Sequence, residues 1–123
     1  MSEACANDSR EAREWRFFLD DMIACAEKVI VYTEGLDQAR FTGSGLNYDA
    51  TLRNLELIDE AATHIPGETR TANPLIPWRQ IVATRNRLIH GYLGIDDDTL
   101  WSIIRDDIPR LLPALQSLRD KKK

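Results

Sequence analysis

The sequence predicts an all-α protein, an up-and-down bundle of four or five helices. Apolar residues recur three or four places apart along most of the 123 residues, and this is the spacing of one helix face. No segment alternates β-branched and polar residues as a half-buried strand would. Glycine and proline fall mostly between the periodic segments, which predicts short connections between the helices.

The first predicted helix is long and ends near Thr33. Asn7, Asp8 or Ser9 could cap its start, and the apolar residues that follow have helical spacing: Trp15, Phe18, Leu19, Met22, Ala26 and Val29. We interpret this stripe as core. The expected organisation is a disordered tail over residues 1–8, one helical domain over residues 9–119 and a basic tail over residues 120–123.

A second helix is predicted from Asn47 to Ile65, with Asn47 or Asp49 as its cap. Residues 35–46, which begin with Gly35 and also contain Gly43 and Gly45, are predicted to be a loop. The stretch PGETRTANPLIP at residues 66–77 is predicted to be a linker without regular structure, because it contains three prolines and a glycine.

The stretch from Pro77 to Tyr92, PWRQIVATRNRLIHGY, predicts one further helix. Pro77 suits a first helical position, and Gly91 and Gly94 supply the stop. On a helical wheel the following residues lie within roughly 60° of Arg85: Trp78, Ile81, Val82, Leu88, Ile89 and Tyr92. An arginine at the centre of an apolar stripe needs an anionic partner, because its charge cannot be titrated away.

The last part of the chain predicts a helix that begins with acidic residues and is interrupted by proline. Asp96, Asp97 and Asp98 complement the positive end of a helix. They lack the glycine spacing and the terminal glutamate of a calcium loop, so we expect no metal site and no cofactor here. Pro109 and Pro113 should bend the helix or split it.

The composition is that of an ordinary globular domain, with a formal net charge of −4 and a pI of about 5.1. No apolar run approaches the roughly 20 residues of a membrane span. The polar N-terminus does not resemble a signal peptide, so we expect a cytoplasmic protein that does not contact membranes. The acidic balance is unusual for a protein that binds RNA, although Arg79, Arg85 and Arg87 could form a local positive groove.

The residues Arg85-Asn86-Arg87-Leu88-Ile89-His90-Gly91-Tyr92 resemble the Arg–four residues–His–x–Tyr motif of HepT-type toxins. These toxins are small all-helical ribonucleases of the HEPN superfamily. The resemblance extends from about Phe18 to Leu118 and has further landmarks in residues 32–36, 53–56, 76–79 and 94–96.

The resemblance implies a homodimer that cuts RNA in a cleft at its interface, without a metal ion. It implies that Arg85 and His90 are catalytic, with supporting phosphate or RNA contacts from Asn86 and Arg79. It also implies that Tyr92 is the residue to which an antitoxin, a minimal nucleotidyltransferase similar to MntA, attaches AMP. In such a type VII-like toxin–antitoxin system the nucleotide would silence the toxin.

The residue types suit this chemistry, but the spacing poses a difficulty. Histidine can move protons near neutral pH, and an arginine fork can stabilise the charge that develops on a phosphate. On an ideal helix, however, Arg85 and His90 point about 140° apart. The arginine could curl round the stripe, the helix could loosen before Gly91, or two copies could form a composite site. We favour the composite site.

Two alternatives stay open at this point. The chain could be a non-enzymatic HEPN subunit that binds nucleotide and partners a minimal nucleotidyltransferase, and the acidic pI favours this slightly. Alternatively, Arg85 could bridge to a glutamate such as Glu56 and His90 could cap the helix, both for purely structural reasons. The resemblance favours the ribonuclease.

Overall fold

The fold is known from a computed structural model that describes residues 2–84, 88 and 94–121, without the side chains of residues 2–13. The helices in chain order are α1 (Ser2–Thr33), α2 (Gln38–Gly43), α3 (Gly45–Ala62), α4 (Gly67–Ala72), α5 (Trp78–Val82), α6 (Asp97–Ser102) and α7 (Ile108–Asp120), with a π-helical turn at Ile103–Asp107 between the last two. The described ranges contain no β-strand. The predicted all-α class is confirmed.

Helices α1 and α3 run antiparallel and form the centre of the fold. At one end, the Asn47 side-chain amide donates to the Tyr32 carbonyl at 3.0 Å. At the other end, the rings of Phe18 and His64 stack with their centroids 4.1 Å apart. The chain therefore travels up α1 and down α3.

The segments that contain α5, α6 and α7 complete the up-and-down order. Helix α5 packs on α3, and α7 packs on α1. The start of α6 lies beside the start of α3, where the Tyr48 hydroxyl donates a hydrogen bond to Asp97. The α7 end lies beside the loop before α5, where Lys121 donates to the Asn73 side chain at 2.8 Å.

The core is lined by the stripe that the sequence predicts for α1. Leu19, Met22, Ala26 and Val29 are fully buried. Trp15 and Phe18, which we also assigned to the core, are only half-buried. They pack against the edge of the core, so each retains an exposed part of its ring.

Helix α1 begins at Ser2, before the predicted capping residues Asn7, Asp8 and Ser9. The backbone of the residues that we assigned to a tail is therefore helical. Helix α3 also begins earlier than predicted, after Ser44. Asn47 is thus not its cap, and its side chain instead satisfies a carbonyl at the end of α1.

Two segments that we predicted as irregular contain short helices. Asp37 caps α2 by accepting from the Arg40 N–H at 2.8 Å, and this helix buries Phe41 completely. Helix α4 starts directly after Pro66. Both predictions were wrong for the same reason: single turns of helix are stabilised by tertiary packing and caps rather than by their own length.

The C-terminal prediction is confirmed at Asp96 and Pro109. Asp96 caps α6 by accepting from the Thr99 N–H. The helix changes to a π turn just before Pro109, where the Ile108 N–H reaches back five residues to the Ile103 carbonyl. Proline cannot donate to the carbonyl four residues earlier and its ring crowds that carbonyl, so the chain widens there. Pro113 lies within α7 without dividing it.

The hydrogen bond between Tyr48 and Asp97 joins α3 to α6 and predicts a loss of stability at high pH. Burial first, and then this bond, raise the pKa of Tyr48 to about 12. Between pH ~10 and ~12 the unfolded chain loses the phenol proton that the folded protein keeps, so folding becomes less favourable as the pH rises.

We therefore expect Tyr48→Phe to cost about 1 kcal/mol at neutral pH and to flatten the alkaline decrease. Urea unfolding at a series of pH values measures both effects. A variant with the same alkaline decrease as the parent would contradict the assignment.

Candidate functional site

The segment that contains the predicted catalytic motif follows α5. Arg85, Asn86, His90 and Tyr92 lie outside the described residues, so their predicted roles stay predictions. Arg79 is described, and it is exposed on α5. An exposed side chain at this position is compatible with the predicted phosphate contact.

Helix α5 is anchored to the bundle at its start. Trp78 is buried, and its indole N–H donates to the Asn73 carbonyl at 3.0 Å. Pro77 is the N-cap rather than the first helical residue, one position from our prediction and within the usual uncertainty of a helix boundary. The Pro77 carbonyl accepts the Ile81 N–H at 3.0 Å.

Helix α5 ends sooner than we predicted from the sequence, and the prediction of one helix over this stretch was wrong. Its C-cap is Ala83, with φ −88° and ψ 3°, so the stretch from Pro77 to Tyr92 is not one uninterrupted helix. Thr84 is helical again beyond this turn. The angles that we read from a single helical wheel therefore do not extend across Ala83.

Leu88 is the one described residue within the motif, and it anchors this segment. It is buried, with 6% of its surface exposed, and it lines a small pocket together with Leu52, Leu55 and Ile95. Its carbonyl accepts the Asp96 N–H at 2.7 Å. Because Asp96 also caps α6, the same residue links the motif segment to the start of α6.

The buried positions of this region follow the predicted apolar stripe. Trp78, Ile81 and Leu88 are buried and Val82 is half-buried. Gly94 has a φ of +82°, a conformation that glycine adopts without strain, and this agrees with the predicted stop after the motif. Side chains at the other positions of the α5 turn, including Arg79, are left facing solvent.

Acidic residues border the same pocket. Glu56 and Asp59 line it together with Thr84 and Leu88. Glu56 lies 3.7 Å from the Arg53 guanidinium, and both side chains are largely exposed. The predicted pairing of Glu56 with a motif arginine involves residues outside the described ranges.

A groove runs along the other side of α5, between α3 and α7. Its volume is about 280 Å³, near the lower limit for small-molecule sites. Its floor is apolar, and Gln80, Thr84 and Arg110 lie at its polar rim. Since Thr84 directly precedes Arg85, this groove adjoins the motif.

A further cleft, which no pattern in the sequence predicts, lies at the end of the bundle where α1 begins to pack on α3. It is lined by eight side chains and one glycine: Glu14, Trp15, Phe18, Thr63, His64, Ile65, Pro66, Gly67 and Arg70. His64 lies just after the end of α3, where a histidine can hydrogen-bond the last carbonyls of a helix. Arg70 does this instead, donating to the Ala62 and Ile65 carbonyls at 3.0 Å each.

No pattern in the sequence indicates this exchange of roles, because it depends on α4, a helix that we did not predict. Among the residues that the structure describes, no cluster of histidine, cysteine or carboxylate side chains is arranged to hold a metal ion. No helix in the same part of the chain is long and apolar enough to cross a membrane.

The family model described as "Ribonuclease HepT-like" matches residues 22–118, a range that includes the whole motif. The chain belongs to the HepT-like ribonuclease family. It is 37% identical over 99 residues to a Methanocaldococcus jannaschii protein named "Putative RNase", covering 80% of this chain and 91% of that one. It is 33% identical over 107 residues to the "Probable ribonuclease HepT" of Thermococcus cleftensis, covering 87% and 97%.

A protein of Caldanaerobacter subterraneus that is also named "Putative RNase" is 30% identical over 108 residues, covering 88% of this chain and 96% of its own. No solved structure gives a significant match. The predicted family is confirmed by these sequence comparisons.

The anchoring role of Leu88 can be tested by removing its side chain. Leu88→Ala should lower the free energy of unfolding by about 2–4 kcal/mol, because it removes a buried side chain and enlarges the pocket that Leu52, Leu55 and Ile95 also line. Chemical denaturation measures the change. The matched control is Leu46→Ala, since Leu46 is 81% exposed and should shift stability by no more than about 0.5 kcal/mol. Equal effects would show that Leu88 does not anchor the segment.

Proposed function

We propose that this protein is an endoribonuclease that cleaves RNA without a metal ion and acts as the toxin of a type VII-like toxin–antitoxin system. The main support is the match to the HepT-like ribonuclease family over residues 22–118, together with the intact motif residues Arg85, His90 and Tyr92. The names of the relatives, which describe ribonucleases, agree with this activity.

RNA supplies its own nucleophile, the 2′-hydroxyl, so the protein needs only proton transfer and charge stabilisation. His90 takes the proton from the 2′-hydroxyl, and the 2′-oxygen bonds to phosphorus. The bond from phosphorus to the 5′-oxygen breaks, and that oxygen gains a proton. Arg85 stabilises the negative charge on the phosphate oxygens. The products are a 2′,3′-cyclic phosphate and a 5′-hydroxyl.

The proposed active form is a homodimer in which two motifs meet at the interface. A composite site brings together an arginine and a histidine that one ideal helix would separate by about 140°. Asn86 orients the scissile phosphate, and Arg79, which is exposed on α5, contacts the RNA backbone nearby.

Regulation is proposed to act through Tyr92. In this reaction the tyrosine oxygen bonds to the α-phosphorus of ATP, the bond between the α- and β-phosphates breaks, and pyrophosphate and the phenol proton leave. The partner is a minimal nucleotidyltransferase similar to MntA. The attached AMP puts negative charge and bulk where the RNA phosphate would bind, so both electrostatics and steric exclusion oppose cleavage.

The first test is a cleavage assay in excess EDTA with tRNA and mRNA as substrates. The parent should produce 2′,3′-cyclic phosphate ends, and Arg85→Ala and His90→Ala should each reduce the rate by about 100-fold or more. Arg79→Gln, which changes only a supporting contact, should weaken RNA binding with a smaller effect on the rate. Size-exclusion chromatography with light scattering checks that every variant keeps the same oligomeric state.

No cleavage by the parent, from a dimer that still binds nucleotide, would instead favour the non-enzymatic HEPN subunit of a nucleotidyltransferase complex. The net charge of −4 is the observation that favours this second candidate. A His90→Ala variant that cleaves as fast as the parent would remove His90 from the mechanism.

The modification is tested separately with Tyr92→Phe. We expect this variant to cleave RNA at a rate close to that of the parent and to accept no AMP from an MntA-like nucleotidyltransferase supplied with ATP. Intact-protein mass spectrometry reports the added AMP. Full labelling of Tyr92→Phe would place the acceptor at another residue.

A further inference from the structure

The cleft between α1 and the end of α3 combines aromatic rings with the guanidinium of Arg70. It is open to solvent and has a volume of about 580 Å³. Trp15 and Phe18 form the α1 side, while His64 and Arg70 form the other side. None of these four residues belongs to the predicted catalytic motif.

The aromatic side chains present faces on which a flat ring can stack. Phe18 and His64 are already stacked, with a centroid distance of 4.1 Å and an angle of 10° between their planes. The His64 side chain is 45% exposed. Trp15 is half-buried, and the Arg16 guanidinium lies 4.7 Å from its ring centroid.

Arg70 connects this cleft to α5. Arg70 is held in place by two carbonyls at the end of α3, so its charge has a fixed position. Arg70 lines this cleft and also the neighbouring depression that contains Arg79. Positive charge thus continues from the bundle end, across Arg70, to Arg79 on α5.

We propose that this cleft binds unpaired bases of a single-stranded RNA whose phosphates follow Arg16, Arg70 and Arg79 towards the motif. Base stacking on aromatic side chains, combined with a basic path for the backbone, is how proteins hold single strands without strict sequence preference. The proposal rests on the proposed ribonuclease function and names the form of its substrate, unpaired RNA beside the cut site.

Two carboxylates limit where the phosphates can lie. Glu14 borders the cleft, and Glu60 lies 3.4 Å from His64. Because both would repel phosphate, the bases occupy the side of the cleft near Glu14 and Glu60, and the backbone follows the arginines. The same carboxylates reduce the overall attraction for RNA, in keeping with the acidic chain.

The test measures the binding of a fluorescein-labelled 12-nucleotide oligouridine by anisotropy, in the His90→Ala background so that the probe is not cut. Trp15→Leu keeps an apolar side chain against the core and removes the indole. It should weaken binding by roughly 5- to 150-fold, the range for loss of one stacked base. An RNA duplex of the same length should bind more weakly than the single strand.

The matched control is Phe17→Leu. Phe17 is the neighbouring aromatic residue of α1, is 69% exposed and does not line the cleft, so its loss should leave binding unchanged. Arg16→Gln should reduce the slope of log affinity against log salt concentration by about 0.7, the value for one phosphate contact to a single strand. Circular dichroism compares the folding of all variants.

A photo-crosslinking experiment on the chain with Trp15 in place, again in the His90→Ala background, makes the test independent of how Trp15→Leu folds. An oligonucleotide that contains 4-thiouridine should crosslink to peptides that contain Trp15, Phe18 or His64. Crosslinks confined to other peptides, unchanged binding by a folded Trp15→Leu, or equal losses in Trp15→Leu and Phe17→Leu would each overturn the proposal.

The outcome is separate from that of the catalytic proposal. Single-strand binding that depends on Trp15, in a parent protein that cleaves no RNA, would support the cleft and contradict the ribonuclease mechanism. Cleavage that needs His90, in a protein whose single-strand binding does not depend on Trp15, would support the ribonuclease mechanism and overturn the proposed role of the cleft.

Discussion

The burial of one face of α1 is the constraint on which the other helices depend. Leu19, Met22, Ala26 and Val29 are removed from water completely, and no single helix can achieve this for itself. Helices α3 and α7 both pack against this face. Each buried aliphatic side chain contributes roughly 1.5–3 kcal/mol, so the central packing outweighs the caps and surface ion pairs.

This arrangement places the candidate site in the outer layer of the bundle. Because α3 and α7 occupy the apolar face of α1, α5 packs on α3. Helix α5 has a single short turn of its own, and a helix of this length is not stable in isolation. The indole of Trp78 holds one end through the Asn73 carbonyl, and Leu88 holds the segment beyond it through the Asp96 N–H.

The charge distribution suits a site that depends on a few well-placed cations. The chain carries a formal net charge of −4, so its mean field repels a polyanion. Arg79 is nevertheless exposed on α5, and Arg70 is fixed by backbone carbonyls in the neighbouring cleft. In the function that we propose, local arginine placement, supplemented by aromatic stacking, holds RNA where the overall charge would not.

The sequence by itself determined the helical class, the apolar face of α1, the acidic cap at Asp96 and the widening before Pro109. These features follow from local periodicity, capping chemistry and the missing N–H of proline, all of which can be read from neighbouring residues. It also determined the family, through the motif at residues 85–92. The roles of Arg85, Asn86, His90 and Tyr92 stay predictions.

Only the tertiary structure decided the features that depend on contacts between distant segments. The complete burial of Phe41 stabilises α2. Helix α4 is stabilised by Arg70, which donates to the carbonyls at the end of α3. The cleft at Trp15 is of the same kind, because α1 and the residues after α3 form it together. Periodicity cannot reveal such features, because the partner that stabilises each of them lies in another part of the chain.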